Sequence, residues 1–147
     1  MLSEQQLVGI DSSHVQFDDH GLGLHPLCWN SWEKLQLRAR EQGFELAICS
    51  GFRSFERQLA IWNGKANGER PVLDDADQLI DIRQLSDEDK LHAILRFSAL
   101  PGGSRHHWGS DVDVFDAAAV SSDYQVQLTS AEVSSGGVFS ALHDWLD

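Results

Sequence analysis

The stretch that decides the reading is PGGSRHHWGSDVDVFD, residues 101–116. Two histidines stand side by side in a glycine-flanked turn, and Asp111, Asp113 and Asp116 then punctuate the apolar run of Val112, Val114 and Phe115. Strand alternation puts Asp111, Asp113 and Phe115 on one face and Val112 and Val114 on the other. Carboxylates beside histidines on a strand that reads as buried need compensation, and a metal ion is the simplest source. Zinc accepts imidazole nitrogen and carboxylate oxygen, and a catalytic zinc takes three protein ligands and leaves the fourth position to water. Gly109 lets the chain reverse closely, so His106 in the turn and Asp113 on the strand can face one cavity, with Asp111 as a partner that orients an imidazole. Adjacent side chains point apart, so His107 is expected at the surface. Taken alone, a His-x6-Asp spacing is common by chance, and its plain reading is loop histidines beside turn-forming and strand-end aspartates.

A second stretch stands about fifty residues upstream: SGFRSFERQ, residues 50–58. An arginine presented by small residues where a strand turns into a helix can bind a carboxylate or a developing oxyanion. Its plain alternative is a structural arginine bonded to loop carbonyls, and Gln58 by itself reads as a solvated helix residue.

Around these motifs the pattern is α+β, a small antiparallel sheet with helices packed on it and a loop-rich segment up to about residue 26. Trp32, Leu35 and Ala39 mark one face of a helix over about Trp29–Gln42, and Glu45–Ser50 reads as a short buried strand. Phe55 to about Asn67 reads as a second helix with Leu59 and Trp62 inward. Residues 69–89 carry eight acids against two arginines and read as a solvated, irregular insertion. Ser86 caps a helix running to about Ala99, with acids in its first turn where the helix dipole favours them. Asp111–Phe115 is a strand, and Phe139, Leu142, Trp145 and Leu146 give Val138–Asp147 a helical face.

The bulk numbers restrict the function. The chain's 147 residues are enough for one domain with its own core. Eleven Lys and Arg against twenty-three Asp and Glu give a net charge of −12, which argues against nucleic acid or an anionic membrane as partner. No apolar run is long enough to span a membrane and no signal peptide is visible, which points to the cytoplasm, or to the cell envelope if an export signal has been removed. Cys28 and Cys49 are too few for a disulfide framework, and Cys49 is expected as a buried free thiol.

The two motifs together resemble those of the D-alanyl-D-alanine carboxypeptidase family of zinc peptidases, which includes VanY-type and LdcB-type enzymes. Ser50, Gly51, Phe52, Arg53, Ser54 and Gln58 match its S-G-[YF]-R-S-x3-Q pattern. Ser104, His106, Gly109, Asp111 and Asp113 match S-x-H-x2-G-x-[AD]-x-D, and the likeness covers roughly residues 24–147. The resemblance implies a zinc-dependent hydrolase that removes a terminal D-amino acid from peptidoglycan stem peptides. His106 and Asp113 would be zinc ligands and Arg53 the group that steadies the carbonyl. Ser50, Gln58, Ser104 and Asp111 would line the peptide site.

The chain also departs from the family. Its third zinc ligand and its glutamate base belong to an E-x-W-H-like segment expected after the C-terminal helix, and no such pair is present. The expectation is therefore a single domain over residues 1–147 that lacks its C-terminal strand and loop region and is inactive or nearly so. Two other readings stand beside it: a non-catalytic module that binds cell-wall peptides, and an L-alanyl-D-glutamate endopeptidase. His14, His20, His25, His92 and His143 read as solvated or structural, and Glu132 as part of a helix start. The sequence is silent on oligomeric state.

Overall fold

The computed structural model describes all of residues 1–147 and shows a mixed α+β architecture of six α-helices and two antiparallel two-stranded sheets. Helix α1 (Glu4–Leu7) opens on a capping box made by Ser3 and Gln6, and a small hairpin of β1 (Gln16–Phe17) and β2 (Gly23–Leu24) follows. Helix α2 (Pro26–Glu41) starts early because His25 caps it through Nδ1 and Pro26 sits in the first turn, where a missing N–H costs nothing. Its Trp32 and Ala39 are buried with Leu24, Leu46 and Leu142, and Leu35 packs against that cluster, so the expected apolar face holds.

The central pair is β3 (Leu46–Ser50) with β4 (Asp113–Asp116). Leu46, Ala47 and Ile48 face Asp116, Phe115 and Val114 in turn, and then a bulge lets Ser50 rather than Cys49 face Asp113. Residues opposite each other share a face, so the bulge brings Ser50 to the Asp113 side of the sheet. Val112 and Val114 pack into the core, as their alternation with the aspartates requires. Asp116 closes the strand, accepting the Glu45 and Ala118 N–H groups.

Helix α3 (Phe55–Ala66) is capped by Ser54. It buries Gln58, while Leu59 is exposed and Trp62 half-buried, so the inward face differs from the expected one. The acidic region corrects a second expectation. Val72 and Ile82 are buried with Ile94 of α4 (Asp87–Leu95), and Trp62 and Leu85 pack around them. These apolar residues are spaced too irregularly to give a periodic signal among the acids. Asp74 meanwhile folds its own turn by accepting the Ala76 and Gln78 N–H groups. Ser86 caps α4 as expected, but the helix ends at Leu95, about one turn early.

Helices α5 (Ser130–Val133) and α6 (Ser140–Leu146) form the last packing unit, with Phe139 and Leu142 buried and Leu146 exposed. Both cysteines are free, and Cys49 is exposed rather than buried because the bulge lifts it out of the pairing register. Its sulfur still lies over the Asp113 carbonyl at 3.4 Å, and partial desolvation with the Asp113 charge pushes the thiol up to about 11. No helix is long and apolar enough to cross a membrane.

Candidate active site

The second motif folds as a 3-10 turn, Arg105–Trp108, between Ser104 and a left-handed Gly109. A side chain at Gly109 would lie 2.8 Å from the His25 backbone nitrogen, which itself donates to the Gly109 carbonyl at 2.7 Å. The close reversal needs glycine for both its φ of 70° and its lack of a Cβ. The turn aims His106 at the end of β4. Its Nδ1 lies 3.0 Å from the Asp111 carbonyl oxygen, which can only accept, so Nδ1 carries the proton and Nε2 presents its lone pair. Nε2 is 3.3 Å from Asp113 Oδ2 and 3.9 Å from Asp111 Oδ2.

His106 and Asp113 fit zinc. Two ligands of a tetrahedral zinc at about 2.0–2.1 Å stand about 3.3–3.4 Å apart, which the first separation matches. Asp111 Oδ2 lies farther from Nε2, and its other oxygen faces Arg105 at 3.4 Å. Asp111 thus orients the imidazole through its backbone, while its carboxylate sits between Arg105 and His106 Nε2. No group of three His, Cys, Asp or Glu side chains is gathered as a complete metal cage.

Arg53 reaches the same cleft from the strand-to-helix turn. Its Nη2 donates to Ser50 Oγ at 2.5 Å and its Nη1 to Gln58 Oε1 at 2.9 Å. Gln58 is wholly buried and donates in turn to the Ala99 carbonyl at 2.6 Å. The amide expected to be solvated is therefore a strut holding the guanidinium. Burial lowers the arginine's proton affinity and Asp113 opposes that effect; a guanidinium remains charged regardless.

His107 reverses an expectation. It is 0% exposed, with Nδ1 donating to the Arg53 carbonyl at 2.6 Å and Nε2 accepting the Gly102 N–H at 3.1 Å. Those two bonds fix one neutral tautomer, and burial lowers its proton affinity. The adjacent side chains do point apart, but the side away from the cleft is the protein interior, because the N-terminal segment covers it. Gly9 approaches the His107 ring so closely that a Cβ there would collide with it. Buried His14 donates from Nε2 to the His107 carbonyl, and the Trp108 indole donates to the Leu7 carbonyl. The Arg53 N–H also donates to the His106 carbonyl, so the two motifs are joined through backbone on both sides of Arg53.

Together these groups border a cleft of about 660 Å³ that contains Arg53, Ser104, His106, Asp111 and Asp113. Ser104 is buried, and Ser50 and Gln58 bond Arg53 behind it. The cleft also includes residues that neither motif contains. Lys65, Arg70 and Ser98 lie at one end, and Gln127, Leu128 and Thr129 form part of the wall. Leu128 is held at φ 57°, and buried Glu132 clamps the loop by accepting the Gln127 and Thr129 N–H groups and the Tyr124 hydroxyl. Burial works against ionisation of Glu132, but these hydrogen bonds outweigh it and hold the carboxyl below its ordinary range. Glu132 is therefore a loop organiser, as its helix-start position suggested. His20, His92 and His143 are exposed, and His25 is the α2 cap.

A bulged strand pair, a left-handed glycine after the histidine turn and a buttressed arginine surround one cleft. The chain belongs to the family VanY, D-alanyl-D-alanine carboxypeptidase, which it matches over residues 21–145. It is similar to an uncharacterized protein of Haemophilus influenzae, 43% identical over 98 residues, a match covering 67% of this chain and 64% of that relative. Among solved structures it resembles VanYB in complex with D-alanine-D-alanine, with a TM-score of 0.62 and 19% identity over 90% of this chain and 59% of the other. A vancomycin-resistance VanY D,D-pentapeptidase in complex with Zn(II) gives a TM-score of 0.56 at 19% identity, covering 73% and 56% of the two chains. The chain thus spans less than two thirds of the length of these relatives.

Proposed function

We propose that this cleft binds the terminal D-amino-acid end of a peptidoglycan-derived peptide and belongs to a zinc-dependent D,D-carboxypeptidase. The observation that carries the reading is the His106–Asp113 pair, 3.3 Å apart with the imidazole tautomer fixed, facing the same cleft as a buttressed arginine. Bound zinc would supply an acidified water and a polarised carbonyl. Around it, His106 Nε2 and Asp113 Oδ2 would hold the ion, and Asp111 would keep the imidazole in its metal-facing tautomer through its carbonyl. Arg53 is already oriented by Ser50 and Gln58, so it would meet the charge that develops on the scissile carbonyl without reorganising. Ser104 would contact the end of the peptide. Such a substrate would put this work in the cell envelope.

Two features support a weak reaction by these residues alone. His106 and Asp113 are two donors where catalytic zinc takes three. Glu132, the buried glutamate nearest the cleft wall, has its carboxylate occupied by three donors. Both features also suit a module that binds the peptide without cleaving it. The test is zinc titration by calorimetry, followed by release of D-alanine from a peptide ending in D-Ala-D-Ala. One zinc bound, lost in His106→Ala and Asp113→Ala, with slow zinc-dependent release, supports the enzyme reading. Peptide binding without release supports the module. Cleavage between L-alanine and D-glutamate instead would assign the endopeptidase activity. Absence of both zinc and peptide binding would refute the proposal.

A further inference from the structure

The cleft is basic in a chain that is not. With a net charge of −12, carboxylates outnumber cations about two to one, yet Arg53, Lys65, Arg70 and Arg105 all line this one cavity. Outside the cleft Arg83, Lys90 and Arg96 each pair with an aspartate, while Lys34, Arg38, Arg40 and Arg57 make no ion pair. Inside the cleft only Arg105 makes such a pair, with Asp111. Lys65 is half-buried in the last turn of α3, and its Nζ donates to Ser98 Oγ at 2.8 Å. Ser98 is itself buried, so the ammonium has one neutral partner and two remaining protons. Arg70 folds back over Gly64 beside it, with its backbone N–H donating to the Gly64 carbonyl. Burial first, and then the charges of Arg70 and Arg53, lower the proton affinity of Lys65. A half-buried ammonium without a carboxylate, placed among other cations, favours an anion that comes from outside the chain.

We propose that Lys65 and Arg70, with Ser98 fixing the ammonium, form a second anion subsite that takes a carboxylate of the substrate lying upstream of the bond to be cut. Resting on the peptide reading above, this narrows the substrate class to peptides with a second free carboxylate, as a γ-linked D-glutamyl residue carries. Arg53 lies at the metal end of the cleft and Lys65 beyond it along α3, so one extended peptide would meet both.

The test has two arms on the whole chain. In the first, glutarate is titrated while the backbone amide resonances of Lys65, Arg70 and Ser98 are followed by NMR. A saturable shift is expected, lost in Lys65→Met and weakened in Arg70→Gln, and kept in Arg40→Ala outside the cleft. No saturable shift, or one that Lys65→Met retains, overturns the subsite and leaves Lys65 as the residue that bonds Ser98 to α3 only. In the second arm, calorimetry compares acetyl-γ-D-glutamyl-L-lysyl-D-alanyl-D-alanine with the same peptide amidated at the D-glutamyl carboxylate. The free acid should bind about tenfold more tightly, and Lys65→Met should erase that difference without weakening the amide. Equal binding of both peptides by wild type overturns the assignment to that carboxylate. A glutarate response with no binding of either peptide keeps the anion subsite and refutes the peptide reading instead.

Discussion

The two ends of the cleft are held by different means. At the His106–Asp113 end, Arg53 is bonded by Ser50 and Gln58 through its side chain, and by His106 and His107 through its backbone. At the other end, Lys65 has one hydroxyl partner and Arg70 has no ion pair. One end is fixed before any ligand arrives, as groups that must meet a developing charge need to be. The other leaves its cations with unused hydrogen-bonding capacity, as groups that complete their bonds with a ligand do. If this contrast is right, substitutions at the fixed end cost stability or metal, and substitutions at the sparse end cost little besides ligand affinity.

The largest effect is expected at the metal pair. His106→Ala and Asp113→Ala should each weaken zinc binding by more than about a hundredfold, beyond what loss of an outer partner costs. Calorimetric titration of metal-stripped protein measures this directly, and unchanged affinity in either variant would remove that residue from the site.

His107→Ala should follow, with a loss of about 3 kcal/mol in urea unfolding. The substitution opens a cavity and leaves the Arg53 carbonyl and the Gly102 N–H without partners. A loss below about 1 kcal/mol would mean that the N-terminal segment, not this ring, joins the motifs. The same histidine sets a pH dependence. Its folded proton affinity is lowered from the ordinary 6.5, so the unfolded chain binds the proton first as pH falls. The stability from neutral His107 is complete above about pH 6.5 and declines below it toward the lowered folded value. Unfolding curves collected between about pH 7.5 and about pH 5 should show that decline in wild type and a shallower one in His107→Gln.

How much of this was readable depended on whether the information was local. His106, Asp111, Asp113 and Arg53 lie in two short motifs whose spacing is local, and the four border one cleft. Helix starts at Ser54 and Ser86 were equally legible, because capping is decided within one turn. His107 was not, since its burial depends on a segment about a hundred residues away at Gly9. Lys65 and Ser98 were invisible for the same reason: their bond joins two elements that no sequence pattern pairs. Gln58 and Leu59 misled the helical periodicity because the buried position on α3 is taken by the polar residue.

That inversion on α3 gives a smaller test. Gln58→Ala should destabilise the fold by about 2 kcal/mol, since it strips a partner from both Arg53 and the Ala99 carbonyl. Leu59→Ala, one residue on and exposed, should change it by less than about 0.5 kcal/mol. The reverse ranking would restore the leucine to the core and detach the arginine from its strut.

The smallest effect is expected at the sparse end. Lys65→Met deletes one neutral hydrogen bond to Ser98 but also relieves a half-buried charge of its desolvation and of repulsion from Arg70 and Arg53. The losses and gains are each about 1 kcal/mol, so the net change in unfolding free energy should lie within about 0.5 kcal/mol of zero. A cost above about 1.5 kcal/mol would show that the lysine is there to hold the Ser98 loop on α3, and the two ends of the cleft would then be equally structural. Near-neutral stability combined with lost glutarate binding would separate them: one end built by the fold, the other left for the ligand to complete.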